Sequence, residues 1–299
     1  MNQCLPWIFD SNFTIMKNIL VPTDFSKLSH HALDLAVQLA KPIGAQITLL
    51  HLEEVPLGDL SLHLTGEAKG SELTDDALYN AQLFRANNLK IFDLVEEFSS
   101  EGVEITGTQY GGGFLTGIQH YVKKNGTDLV VIGTTGEESI QEFFSGNHTE
   151  QLIEHLDVPV LSVQDKQYHK IEDIVLGLDI EDQNYTKSVF DLVKKVVDPL
   201  KARLHIIDIA KTYDAALENK LDEIAKFSGL SNYLIDVVED KKANEALLDY
   251  AEGTDAGLIV VITEAQGGLS RFFQHSFAAK LTKKSSIPVL TINKKYITV

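Results

Sequence analysis

The stretch GTTGEESIQEFFSGN, residues 133–147, carries three glycines, Gly133, Gly136 and Gly146, with a small polar residue, Asn147, directly after the last. Two residues separate the first pair of glycines and nine separate the second. Glycine has no Cβ, so backbone N–H groups at such positions can come close to phosphate oxygens. The following NHTEQLIEHL has a helical pattern, with Asn147 or Thr149 placed to cap it. A helix N-terminus offers unpaired amides and positive partial charge, which suits an anion. On this reading the Gly133–Gly136 turn holds one part of a polyphosphate, and Gly146 with Asn147 holds the rest. No lysine or arginine falls within 133–147, so backbone amides, with Mg²⁺ as a candidate aid, would neutralise the charge. The same glycines also suit a plain turn after a strand, and spacing alone leaves both readings open. The pattern is neither the dinucleotide fingerprint G-x-G-x-x-G nor the P-loop G-x-x-x-x-G-K-[ST].

Other reactive residue types carry less. The 10 histidines include no H-x₃-H pair with a nearby carboxylate, and a single cysteine, Cys4, allows neither C-x₂-C nor an intrachain disulfide. His51 alternates with strand residues and is expected to face a helix layer. No G-x-S-x-G elbow anchors a hydrolase triad. YGGG, 110–113, reads as a turn into a helix. No catalytic residue and no metal site is predicted.

The elements that position the glycines repeat along the chain. KNILVPTDFS at 17–26 pairs with EDIVLGLDIE at 172–181, each an apolar strand ending near an aspartate, Asp24 or Asp179. ITLLHLEE at 47–54 pairs with LHIIDIAK at 204–211, LVVIG at 129–133 with VVIT at 260–263, and VPVLSV at 158–163 with IPVLTI at 287–292. The offset between repeats shrinks from the aspartates to the doublets Phe143-Phe144 and Phe272-Phe273, so the second half is shorter between its second and third strands. In the first half, strands are expected at 18–23, 46–52, 103–109, 128–133 and 158–163. A helix after Ser26 ends at Gly44, with Leu28, Ala32, Leu35, Ala36 and Leu39 on one face. Further helices are expected across 75–100, at 114–125 and from about 147. In the 75–100 helix, Leu83, Ile91, Leu94, Val95 and Phe98 share a face. Runs of Val, Ile and Leu between helices predict an α/β fold of two tandem doubly wound open sheets, five mostly parallel strands each, Rossmann-like. The expected divisions are an extension at 1–15, a first domain at 16–165 and a second at 170–299. Ligands of such sheets bind beyond the carboxyl ends of the strands, where both Asp24 and Gly133 fall.

Bulk properties narrow the partners. With 43 acidic and 26 basic residues, the net charge of −17 opposes nucleic-acid backbones and anionic membrane surfaces, while leaving room for a small anion held by amides. No apolar run nears the ~18 residues of a membrane helix, and the start lacks the basic region of a signal peptide. One cysteine fits a reducing, cytoplasmic setting.

The spacing G-x₂-G-x₉-G with a small polar residue after it, together with ILVPTDFS, TDLVVIG and VPVLSV in this order, resembles the universal stress protein family. The resemblance covers 17–163 and recurs more weakly over 172–292. It implies a tandem member whose fold is that of the adenine nucleotide alpha hydrolase-like proteins. It further implies ATP binding, with adenine near Asp24 and the backbone of Pro22 and Thr23, and Leu52 packing on the ring. Ile132 and Gly133, then Gly136, Gly146 and Asn147, would follow the ribose and phosphates. The family usually has Ser or Thr where Asn147 stands. In the second half Thr263 is expected at the place of Gly133, and His275 at that of Gly146, which implies a degenerate site. The family pairs domains through the last strand, so the halves are expected to pair at 158–163 and 287–292, and a homodimer of whole chains remains open. The role implied is regulatory or sensing, with at most slow ATP hydrolysis. The alternative is a nucleotide-free interaction module of the same fold with a protein partner.

Overall fold

Why the chain breaks where it does is visible in its first unit. Strand β1 (Asn18–Thr23) gives way to helix α1 (Lys27–Ile43) because the Ser26 side chain accepts the Ser29 N–H, and α1 stops at Gly44, which adopts φ 67°. The computed structural model describes residues 16–53, 75–134, 146–164, 170–178, 183–210, 215–227, 229–239, 243–263, 275–293 and 296. After α1 the first half continues with β2 (Gln46–Glu53), α2 (Asp75–Glu97), β3 (Ile105–Gly111), α3 (Phe114–Asn125), β4 (Leu129–Gly133), α4 (Gly146–His155) and β5 (Val160–Val163). The second half repeats the order with β6 (Asp173–Leu178), α5 (Gln183–Leu200), β7 (Arg203–Ala210), α6 (Ala215–Phe227), β8 (Tyr233–Glu239), α7 (Ala243–Gly253), β9 (Leu258–Thr263), α8 (His275–Lys284) and β10 (Val289–Asn293).

The shortening of the second half lies where the repeat offsets put it. Strands β2 and β3 begin at Gln46 and Ile105, whereas β7 and β8 begin at Arg203 and Tyr233. Helix α2 runs for 23 residues and α6 for 13. The largest departures from the expected boundaries lie around β3 and at the start of β5. Helix α2 ends at Glu97 and a 3-10 turn, Ser99–Glu101, carries the chain to Gly102 at φ 74°, which delays β3 by two residues relative to 103–109. Strand β5 begins after Pro159, which has no N–H to give.

All ten strands form one sheet in the order β3-β2-β1-β4-β5-β10-β9-β6-β7-β8. Neighbours within each half are parallel. The halves join through an antiparallel pair, with Ser162 opposite Val289, Leu161 opposite Leu290 and Val160 opposite Thr291. Helices α4 and α8 flank this joint. Gln164 Nε2 donates to the carbonyls of Thr282 at 2.7 Å and Lys283 at 2.9 Å, and Lys283 Nζ lies 2.5 Å from Glu150 Oε1. The core forms two layers, one on each face of the sheet, and both draw residues from both halves. Leu161 and Leu290 lie in the layer beneath α1, α2, α5 and α6, and Val160 and Val289 in the layer beneath α3, α4, α7 and α8.

At the base of the second half, Arg203 Nε donates to Asp173 Oδ1 at 2.6 Å and His205 Nε2 donates to the same oxygen at 2.8 Å. Burial pushes the Asp173 carboxyl up, but the hydrogen bonds from Arg203 and His205 outweigh it and hold the group below the ordinary carboxylate value. A carboxyl depressed in the folded state adds stability above its unfolded value of ~3.9 and loses it as pH falls through the lower folded value. Asp173→Asn should therefore flatten the acid side of a stability–pH curve, measured by urea unfolding from neutral pH downward. Leu290→Ala, at the joint, should cost ~2–5 kcal/mol in the same assay at neutral pH.

Candidate functional site

In the order β3-β2-β1-β4-β5 the chain builds outward from β1, then returns to the other side of β1 to lay down β4. The crevice between the carboxyl ends of β1 and β4 is thus the switch point of the first half. The two strands are in register only at Ile19–Leu129 and Leu20–Val130, while β1 stays paired to β2 as far as Thr23. Pro22, with no N–H, sits where β1 has already parted from β4.

The loop after β1 is held from all sides. Thr23 is buried; its Oγ1 accepts the Phe25 N–H at 3.1 Å and donates to Ser29 Oγ at 3.1 Å. Asp24 is half-buried, and its Oδ1 accepts the Ser26 N–H at 3.0 Å, a turn closed by the side chain itself. Between them Phe25 adopts φ 65°, a left-handed backbone rarely taken by a bulky residue. Its ring packs on His51, centroids 4.5 Å apart, and Lys90 Nζ stands 5.0 Å from its centre. His51 Nδ1 donates to the Thr23 carbonyl at 2.8 Å. That leaves Nε2 as an acceptor for Asn87 Nδ2 at 3.2 Å, and Asn87 also donates to buried Glu53 Oε1 at 2.8 Å. This clamp of Phe25, His51, Glu53, Asn87 and Lys90 joins the loop to β2 and α2. Sequence reasoning placed His51 against a helix layer but missed its partners, because Asn87 and Lys90 come from a helix 30 to 40 residues away with no local signal.

Leu52 points to the opposite face of β2, buried in the second core layer, and a Cβ on Gly117 of α3 would lie only 2.7 Å from its Cδ2. Ile132 is fully buried in the same layer. Gly133 ends β4, and a Cβ there would lie 2.5 Å from the Leu28 carbonyl oxygen in the first turn of α1. Its bareness is thus demanded by helix packing, whatever else it does. Gly146 opens α4 and Asn147 is the second residue of that helix. Neither Asn147 nor Thr149 precedes α4 as a cap would. Thr149 is 1% exposed, and among the described residues its hydroxyl has no hydrogen-bond partner. Because β4 and β5 are parallel, α4 must run back between them, so its N-terminus lies at the carboxyl edge, beside the crevice. Gly136, Asp179, the Phe-Phe doublets and residues 1–15 lie outside the described residues.

The sheet register corrects one alignment of the halves. Val160 pairs with Val130 and Val289 with Ile259, while Ile19 pairs with Leu129 and Ile174 with Leu258. The counterpart of Gly133 is therefore Ile262, and Thr263 matches Thr134. Both threonines are buried, and among the described residues their hydroxyls have no hydrogen-bond partner. Helix α8 opens at His275 as α4 opens at Gly146, which puts Ala278 at the place of Thr149. At the two positions where the first half is bare, the second carries isoleucine and histidine.

A family model described as the universal stress protein family matches residues 16–164 and 174–293. Universal stress protein Slr1230 of Synechocystis sp. is 24% identical over 289 residues, covering 92% of this chain and 99% of its own. Universal stress protein YxiE of Bacillus subtilis is 29% identical over 151 residues, covering 50% of this chain and all of its own. A crystal structure of a universal stress protein from Archaeoglobus fulgidus superposes with a TM-score of 0.68 at 15% identity, over 93% of this chain and 96% of that one, a likeness of fold.

The contact between Gly133 and Leu28 predicts that Gly133→Ala destabilises the protein with no ligand present. Overpacking of this kind costs ~1–3 kcal/mol, readable as a lowered urea midpoint.

Proposed function

The chain belongs to the universal stress protein family, and from that premise we propose that its first half binds an adenine nucleotide, ATP with Mg²⁺, in the crevice between β1 and β4. The observation that carries this reading is the convergence, at one switch point, of the rigid Thr23–Asp24 turn, the bare end of β4 at Gly133 and the N-terminus of α4. The Asp24 carboxylate and the backbone of Pro22 and Thr23 would take the base, with Leu52 packing on the ring and the backbone of Ile132 following the ribose. Amides around Gly133, Gly136, Gly146 and Asn147 would take the phosphates, aided by the partial positive charge of α4. The unpartnered, buried hydroxyl of Thr149, absent from the second half, supports a polar ligand at this end.

The second half serves as the fixed partner of the first, with isoleucine and histidine in its sequence where the first half has Gly133 and Gly146. The role is regulatory or sensing in the cytoplasm: ligand occupancy stabilises one form of the protein, and hydrolysis is at most slow. A nucleotide-free interaction module is the second reading. It is favoured by Asn147 standing where the family has Ser or Thr, and by Gly133 having a packing reason of its own.

Thermal melting with and without ATP–Mg²⁺, with AMP and GTP as controls, separates the two. A ligand at ~100 times its dissociation constant adds ~2.7 kcal/mol, a rise of a few degrees for a chain of this size. The rise should be selective for ATP, and should vanish in Asp24→Ala and in Gly136→Val, each compared with its own unliganded melting point. A flat response of the native protein at saturating ATP would leave the interaction module.

A further inference from the structure

Helix α2 covers β2 and β3 with one face, burying Asn87 and Ile91 and resting Leu94 and Val95 on the core. Its other face carries an exposed stripe at Leu78, Gln82, Arg85, Leu89, Phe92 and Glu96. The spacing alternates four and three along its whole length, the rhythm of a helix–helix seam. Leu89 and Phe92 are 66% and 63% exposed. They are adjacent on the helix, not scattered as isolated surface apolar residues usually are. The exposed Phe227 and Leu234 belong to separate elements, the end of α6 and the edge strand β8.

We infer that this stripe is the docking surface for a second copy of the chain, with α2 packed antiparallel on its twin. The charge pattern selects that occupant. Arg85 and Glu96 flank the apolar pair at equal distances, Arg85 four residues before Leu89 and Glu96 four after Phe92. Among the described residues neither has an ion-pair or hydrogen-bond partner, whereas the adjacent Glu97 lies 3.5 Å from His30. A two-fold axis between Leu89 and Phe92 brings each Leu89 onto the other copy's Phe92 and each Arg85 onto the other copy's Glu96. Self-complementarity about one point is what an isologous interface requires. A seam with apolar positions paired this way is the antiparallel form of knobs-into-holes packing. A net charge of −17 opposes unspecific association, so a dimer that forms must use a patch with its own complementarity. The surface is remote from the β5–β10 joint and does not depend on nucleotide binding.

The test is sedimentation equilibrium of the full chain across a concentration series at fixed salt. The native protein should dimerise with concentration. Leu89→Glu with Phe92→Glu, at positions the fold leaves exposed, should weaken association at least ~10-fold with an unchanged melting point. Arg85→Glu and Glu96→Arg should each weaken self-association, since each creates two like-charge contacts. An equimolar mixture of these two single variants should restore a dimer, because every contact across the axis is then between opposite charges. A native protein that stays monomeric at the highest attainable concentration overturns the inference. So does a dimer that survives the double glutamate change, or a mixture no stronger than its components.

Discussion

Three pairs of residues across β5 and β10 hold this molecule together as one object. Without them, β5 and β10 would each be a free edge offering unpaired amides and carbonyls, an arrangement proteins avoid. With them, ten strands form a single sheet whose ends are β3 and β8. The joint lies at the middle of the sheet, where strands are covered on both faces, so its residues are Val, Leu, Ser and Thr with no charge among them. Because β5 and β10 contribute side chains to both core layers, neither half completes either layer alone. The joint therefore sets the position of each half's helices as well as its strands.

Within the first half, the rest of the local geometry answers to the parting of β1 from β4. The turn at Thr23–Ser26 must carry an aspartate to the lip of that gap. It does so by bending through Phe25, at a backbone geometry that costs of order 1–3 kcal/mol for a residue of this size. The stack on His51 and the chain of hydrogen bonds through His51, Asn87 and Glu53 offset that strain and fix the turn. On the other lip, Gly133 lets α1 lie against the end of β4. One bare residue thus brings the start of α1 and the end of β4 to the same place.

Much of this was legible in the sequence, and the failures have physical reasons. The repeat, the strand–helix alternation and the cap at Ser26 rest on local patterns, the pairing of the last strands was implied by the family resemblance, and each appears in the structure. The register of β9 did not show in the strand itself. LIVVIT is buried on both faces and has no alternation of polar and apolar residues, so a shift by one residue leaves the pattern unchanged. The spacing shared by the Phe-Phe doublets and the last strands puts Ile262, and not Thr263, opposite Gly133, and the ladder partners agree. The caps proposed at Asn147 and Thr149 failed because α4 starts at Gly146, a residue with weak helix preference that the surrounding structure nevertheless recruits. The clamp around Phe25 was invisible because it is a contact between distant segments. The glycine triad remained ambiguous in sequence because one of its members answers a packing demand that no spacing rule expresses.

Joining the halves antiparallel gives the molecule a front and a back. The carboxyl ends of β1 and β4 open on one rim of the ten-stranded sheet, and those of β6 and β9 open on the opposite rim. When both rims carry the same groove, a change in one is mirrored in the other. Here the rims have diverged: one strand end is bare at Gly133, and the matching strand end carries Ile262. A chain that has folded two copies of one domain into a single sheet is thereby free to present a different chemistry at each pole, something a symmetric pair of identical chains cannot do.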